Sequence, residues 1–418
     1  MSERKTIIPK YGPFAGMRII DSGSLIAMPF AATMLADFGA EVIHIERPGV
    51  GDTLRMLGPF AEVNGKKVST AWAQDARNKL SMSLELNLKH PEVKEIFYGL
   101  LKEADVFMEN MVWLDKLGIS DADMLAVNPK LVIVHISGLG HKEFGGIPEV
   151  CDRASYDMIG QAFSGWLYLQ GDPDRDPVVA KPYMNDFVSA MCTAFGTLAA
   201  YTAAQKTGKG QIVDVAQFEA MAQYMCGVYT TYTMTGKVSG RTGNASPAFQ
   251  PYNLFKSKDG FDVALGAFGP GVYKRCLQGL GFDLNYFTYQ DCSSNAEAVA
   301  SPKGRELNDK VVAWCASHTA AEIEEAMAAV KVPCSAVNTA KSVFENEHFK
   351  SRNDWITYRD QTVDGDITAF GIAPKLSSTP GQVWRGAPSL GQDTDAILKD
   401  ILGYDDAKIA DLREKNLI

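Results

Sequence analysis

The sequence predicts an α/β fold: a parallel sheet covered by helices, joined to a smaller α+β domain. Three observations predict it. Short apolar runs alternate with runs at helical spacing through the first half. The strand-like runs are nearly continuous in apolar residues, as strands buried on both faces are. From Tyr252 the texture changes to a hairpin followed by helices. At 418 residues the chain exceeds one compact core, because domains run to ~100–200 residues.

Residues 17–21 form a first apolar run, closed by Asp-Ser-Gly. Residues 30–38 repeat apolar side chains at helical spacing and stop at Gly39, and 41–46 return to strand character. The stretch 92–103 carries Val93, Ile96, Phe97, Leu100 and Leu101 on one stripe, which makes it an amphipathic helix. Strands follow at 105–108 and 131–136. A long helix runs from Asp186 to Lys206 and ends in Thr-Gly-Lys-Gly, then come a strand at 212–215 and a second helix over 218–235. Residues 252–256 and 261–267 flank an Asp259-Gly260 turn, a hairpin signal because both residue types tolerate positive φ. Helices near 270–280, 303–317 and 319–329 and a strand at 332–337 complete the smaller domain. The expected division is 1–235 for the first part of the large domain, 236–251 as linker, 252–340 as small domain and 341–418 returning to the large one. Residues 384–388 read as a surface loop.

Lys and Arg number 41 against 50 Asp and Glu, a net charge of −9. An acidic chain without a basic block is a poor partner for nucleic acid or an anionic membrane. The 7 cysteines are widely spaced and form no C-x-x-C, the pattern of reduced thiols rather than disulfides or zinc ligands. No H-E-x-x-H occurs, so no metal is expected. The first dozen residues lack the apolar core of a signal peptide. The uncharged stretch 187–205 contains Ser189, Thr193, Gly196, Thr197 and Thr202 and reads as a buried core helix, not a bilayer span. A cytoplasmic location is the expectation.

The first strand is followed by Asp21-Ser22-Gly23-Ser24, not by the glycine fingerprint of a dinucleotide site. P-loop and G-x-S-x-G patterns are absent too. Asp186 stands at the start of the long helix. It fits an N-cap, and equally a carboxylate kept ionised and nucleophilic by the helix's positive end, with helix amides serving an oxyanion. Tyr224, Met225, Tyr229, Tyr232 and Met234 fit core packing, or an aromatic pocket suited to a quaternary ammonium.

Ordered segments along the chain narrow these alternatives. They are 15–21 (AGMRIID), 35–49 (LADFGAEVIHIERPG), 77–81 (RNKLS), 104–110 (ADVFMEN), 128–132 (NPKLV), Asp186 with its small-residue helix, 207–215 (TGKGQIVDV) and 387–394 (APSLGQDT). In this order they resemble the class III CoA-transferases over nearly the whole chain. Within that family, 152–157 (DRASYD), 160–165 (GQAFSG) and 382–386 (QVWRG) are most similar to the carnitine and bile acid CoA-transferase branch. The resemblance implies a Rossmann-like large domain built from both chain ends, a smaller domain from the middle, and an interlocked homodimer.

The resemblance also implies that Asp186 is the nucleophile. It would attack a donor thioester, pass through an aspartyl anhydride and an aspartyl-CoA thioester, and deliver CoA to a carnitine-like or bile-acid-like acid. CoA and acyl-CoA are then substrates, and no cofactor is permanently bound. Arg47, Lys89, Asn110 and Lys116 match positions lining the CoA site. Lys116 stands where the family usually has Arg, so it keeps the charge and loses the bidentate fork. Two departures bear on loop gating: Met111-Val112-Trp113 replaces the usual Pro-Gly, and a glycine run found in some members is absent before Pro251. The alternatives are an acyl-CoA racemase of the same fold and a non-catalytic CoA-binding dimer. The racemases carry His at the position of Tyr156, and a phenol of pKa ~10 is a poor second base.

Overall fold

A computed structural model describes residues 4–111 and 114–418. The replacement at Val112 and Trp113 lies outside these residues. Six strands build the main sheet: β1 (Arg18–Asp21), β2 (Glu41–Glu46), β3 (Lys79–Ser83), β4 (Val106–Glu109), β5 (Val132–Ser137) and β6 (Gln211–Ala216). All neighbours pair parallel, in the order β3-β2-β1-β4-β5-β6. The winding reverses between β1 and β4. Sheets of this kind take ligands beyond the carboxyl ends of their strands at such a reversal.

Both faces are covered, which is why the strands read as continuous apolar runs. On one face α1 (Ala27–Ala36) and the later helix 184–207 pack on Ile19, Val42, Val106, Val132 and Val134. On the other, α2 (Pro91–Lys102) sets Val93, Ile96, Phe97 and Leu100 against Ile20, Ile43, Phe107 and Ile133. The stripe foreseen on α2 is the stripe that is buried.

Further along come α3 (Asp157–Phe163), α4 (Met184–Thr207) and α5 (Gln217–Ala222). Buried Ala190, Ala194, Ala200 and Ala204 give α4 its close approach to α1. The hydroxyls of Ser189, Thr193 and Thr197 donate to the carbonyls of Asn185, Ser189 and Thr193 at 2.7, 2.8 and 2.7 Å, so these polar groups sit inside without loss. The helix ends at Gly208, whose φ of 73° is the left-handed terminator. The expectation of a core helix holds for one face only: Met191 and Phe195 on the other are 55% and 76% exposed. Among the described residues α4 is the one helix long and apolar enough to cross a membrane.

Two expectations fail locally. The helix foreseen over 218–235 is two: α5 stops at Ala222, Cys226 and Gly227 take φ of 40° and 80°, and α6 (Val228–Thr235) starts anew. Only Met225 of the supposed core stripe is buried, and Tyr224, Tyr229, Tyr232 and Met234 are exposed. The segment 384–388 is not a surface loop. Arg385 is buried, donates to the carbonyl of Lys79 at 3.0 Å and pairs with Asp393. Its charge hides an interior position because its partner lies eight residues on.

Chain contacts define two units. The first comprises the chain up to Trp166, Ala180–Cys226 and His348–Ile418 and carries the main sheet. The second comprises Leu167–Val179 and Gly227–Glu347. It holds an antiparallel sheet of β7 (Tyr252–Lys256), β8 (Asp262–Gly266) and β9 (Cys334–Ala336) in the order β9-β8-β7. Its helices α7 (Pro270–Leu280), α8 (Pro302–Ser317) and α9 (Ala320–Ala329) enclose Phe255, Val263, Tyr273, Leu277, Leu307, Val311 and Ile323. The β7–β8 turn at Asp259-Gly260 is as foreseen.

Candidate active site

Buried polar side chains lie at both ends of the main sheet: Arg18 and Glu41 at the amino ends, and Asp21, His44, Glu109 and His135 towards the carboxyl ends. Asp186 is on the α1 side of that edge, beside the end of β6. It is not an N-cap. Tyr183, in the left-handed region at φ 43°, caps α4, and Asp186 is the helix's third residue. A non-glycine residue in that region costs ~1–2 kcal/mol, a strain of the kind found beside functional groups. Asn185 is fully buried under α3. Its amide nitrogen would lie 2.0 Å from a Cβ on Gly160, so only glycine lets α3 lie this close.

Two first-turn amides of α4 are occupied from α3. Asp157 Oδ1 accepts from the amides of Asn185 (2.7 Å) and Asp186 (3.4 Å), and its Oδ2 accepts from Gln161 Nε2 at 2.8 Å. The idea that these two amides serve an oxyanion is therefore corrected: a carboxylate already holds them. Asp186 receives one side-chain donor, Gln217 Nε2, at 2.6 Å from Oδ1. Burial pushes the Asp186 carboxyl up to about 6; the Gln217 bond pulls it down and the Asp157 charge adds to the rise. At neutral pH it is still mostly ionised, but it is poorly solvated and has few partners.

Two networks fix the surrounding loops. On the α1 face, His44 Nδ1 lies 2.8 Å from Asp21 Oδ2 and His44 Nε2 lies 3.1 Å from Asp52 Oδ2, with Lys79 Nζ 3.2 Å from Asp21. Asp52 also accepts from the amides of Leu25 and Leu54, tying the loop after β2 to the loop after β1. Burial alone would lower the His44 pKa, but the Asp21 charge and the bonds to Asp21 and Asp52 outweigh it and raise it to about 9. On the opposite face, Glu109, His135 and Asp214 share one row of β4, β5 and β6. His135 is 2.5 Å from Glu109 and 3.1 Å from Asp121, and His141 is 2.6 Å from Asp214. Among the described residues no group of three or more His, Cys, Asp or Glu has a metal-binding arrangement.

The four residues expected at CoA all follow strand ends on this edge. Asn110 comes directly after β4, at the point where the winding reverses. Its Oδ1 accepts from Ser24 N and its Nδ2 donates to Ser24 O, both at 2.9 Å, so it joins the loop after β4 to the loop after β1. Arg47 follows β2, is largely exposed and lies 3.6 Å from Glu85. Lys89 and Lys116 are exposed and are brought together by the bond from Leu88 N to Leu117 O at 2.8 Å. Tyr156, where a racemase would carry its base, is 71% exposed. Sequence reasoning missed Gln217 and the Asp157 cap. Gln217 is 31 positions from Asp186, and no local spacing reveals such a pair.

The sequence model of CoA-transferase family III matches residues 14–394. The chain is 34% identical over 417 residues to the bile acid CoA-transferase BaiK of Clostridium scindens, covering 98% of this chain and 90% of that one. Its fold is similar to a CAIB/BAIF family protein from Brucella suis, with TM-score 0.80, 26% identity and coverage of 94% and 100%. It is also similar to Rv3272 from M. tuberculosis, with TM-score 0.77, 22% identity and coverage of 93% and 99%, a likeness of fold alone. The chain belongs to CoA-transferase family III, and it is an enzyme that transfers CoA.

Proposed function

We propose that this enzyme moves CoA reversibly from an acyl-CoA thioester to a free carboxylic acid of carnitine-like or bile-acid-like type, with Asp186 as covalent carrier. The supporting observation is a partly buried carboxylate at the ligand-binding edge of the sheet, with a single side-chain donor and an affinity for protons raised to about 6. Asp186 attacks the donor carbonyl, and CoA leaves as thiolate. The thiolate then attacks Asp186 Cγ and expels the donor acid. The acceptor carboxylate attacks the same carbon and releases CoA, which finally takes the acyl group and restores the aspartate. The net reaction exchanges one thioester for another, so the cycle needs no ATP, and the carboxylate carrier needs no metal. Chelation is expected to leave the rate unchanged.

Arg47, Lys89, Asn110 and Lys116 are assigned to CoA, with Asn110 also joining the loops after β1 and β4 through Ser24. Likeness to a bile acid CoA-transferase supports a bulky or branched acceptor. A homodimer is supported by the apolar surface left on the first unit: Met191 and Phe195 of α4, with Met158 and Phe163 of α3 at 52% and 47% exposure. Such a surface calls for a partner, and a second copy fits the family. A cytoplasmic setting suits free thiols at all seven cysteines.

Incubation with acyl-CoA and hydroxylamine should leave a hydroxamate on Asp186. Product formation with Asp186 untouched would remove it from the mechanism. A panel of free acids against one acyl-CoA donor, with products separated by HPLC, then identifies the acceptor class.

A further inference from the structure

Gln217 begins α5 at the end of β6, is 6% exposed, and directs Nε2 at one oxygen of the nucleophile, Oδ1, at 2.6 Å. Two first-turn amides of α4, those of Asn185 and Asp186, are held by Asp157. We propose that Gln217 is a catalytic residue: it is the oxyanion donor for the steps that pass through Asp186 Cγ, and it divides the two carboxylate oxygens into an anchored one and an attacking one. This rests on the aspartyl-carrier reading above.

The atoms assign the role. Oδ2 attacks the donor thioester, the C–S bond breaks, and CoA departs with the electron pair. The charge that develops in this step is on the substrate oxygen, out of reach of a group bonded to Oδ1. The thiolate then adds to Cγ, and the Cγ–Oδ1 π pair moves onto Oδ1. Collapse breaks the Cγ–Oδ2 bond, and the donor acid leaves as carboxylate. The acceptor carboxylate adds to Cγ in the same way, again placing the charge on Oδ1, and CoA thiolate leaves. The Gln217 N–H is aimed at Oδ1 throughout, so it is in place before the charge appears. In the resting enzyme the same bond stabilises the carboxylate and slightly restrains its first attack. Gln217 therefore favours the second and third steps over the first.

The test is rapid quench of the full-length enzyme with an acyl-CoA donor. It follows free CoA released in the first step and the CoA adduct on the Asp186 peptide by mass spectrometry, in the parent, Gln217→Met and Gln217→Asn. Met keeps the length and removes the donor; Asn keeps the amide and shortens its reach. The expected result is a CoA-release burst at the parent rate or faster in both variants, with adduct formation slowed ~10²-fold. The acid limb of the burst rate should also move to higher pH, because the bond that lowers the Asp186 pKa is lost, and simple loosening of α5 would not cause that. Adduct formation at the parent rate in Gln217→Met, or burst and adduct slowed by one common factor, would overturn the proposal. A parent enzyme that turns over without any adduct on Asp186 would instead remove the aspartyl-carrier reading beneath it.

Discussion

Asp186, partly buried, and His44, fully buried, are titratable groups at the same edge and on the same side of one sheet, yet they are treated in opposite ways. His44 is sandwiched between Asp21 and Asp52, with Lys79 on Asp21 and backbone amides on Asp52. Every charge has a partner, and the imidazole is held protonated. Asp186 receives one donor and faces the like charge of Asp157. A satisfied cluster defines where loops go. An under-satisfied carboxylate is the kind of group the proposed nucleophile requires.

The widest expected difference comes from deleting each centre. Asp186→Ala should reduce CoA transfer more than ~10³-fold while leaving the protein folded and the stability within about 1 kcal/mol. Assay and thermal unfolding together check this. His44→Ala should do the reverse. It leaves Asp21 and Asp52 facing an emptied site, which costs ~3–5 kcal/mol, read by denaturant unfolding. The pH dependence carries its own sign. The folded pKa of His44 is raised to about 9, so its stabilisation is complete below about 6.5 and fades as pH climbs towards 9. The parent should lose stability across that window, and His44→Ala should not show the loss.

A smaller effect separates the two through rate rather than stability. With its pKa raised to about 6, Asp186 should produce an acid limb in the transfer rate near pH 6, some two units above an ordinary aspartate, with tenfold loss per unit below it. An acid limb near 4 would show that Asp186 is solvated during catalysis. The smallest effect lies at the rim. Lys116→Ala should weaken CoA about fivefold with the chemical step intact, and less in high salt. Lys116→Arg should bind as well or slightly better. Calorimetric titration with CoA at two salt concentrations checks both.

The sheet and its covering helices were legible because periodicity is a local signal: Val93 to Leu101 on α2, or the run 131–136, declare their burial without reference to the rest of the chain. What remained hidden depends on distant partners. Cys226-Gly227 breaks a run that keeps helical spacing on both sides. Arg385 looks exposed until Asp393 and the Lys79 carbonyl are placed around it. The place of Asp186 in the chain was legible, but its chemistry was not. Asp157 takes the helix amides from 29 residues upstream and Gln217 supplies the donor from 31 downstream; only the folded β6 edge brings them together.

The most direct test of the covalent role of Asp186 is isotopic. In the proposed cycle the acceptor acid attacks Asp186 Cγ, and one of its oxygens stays on the aspartate when the acyl group leaves for CoA. Turnover with an acceptor labelled by oxygen-18 in its carboxylate, followed by mass analysis of the Asp186 peptide, should find a labelled oxygen in that side chain once each site has turned over. Product formed in quantity with an unlabelled Asp186 would contradict it.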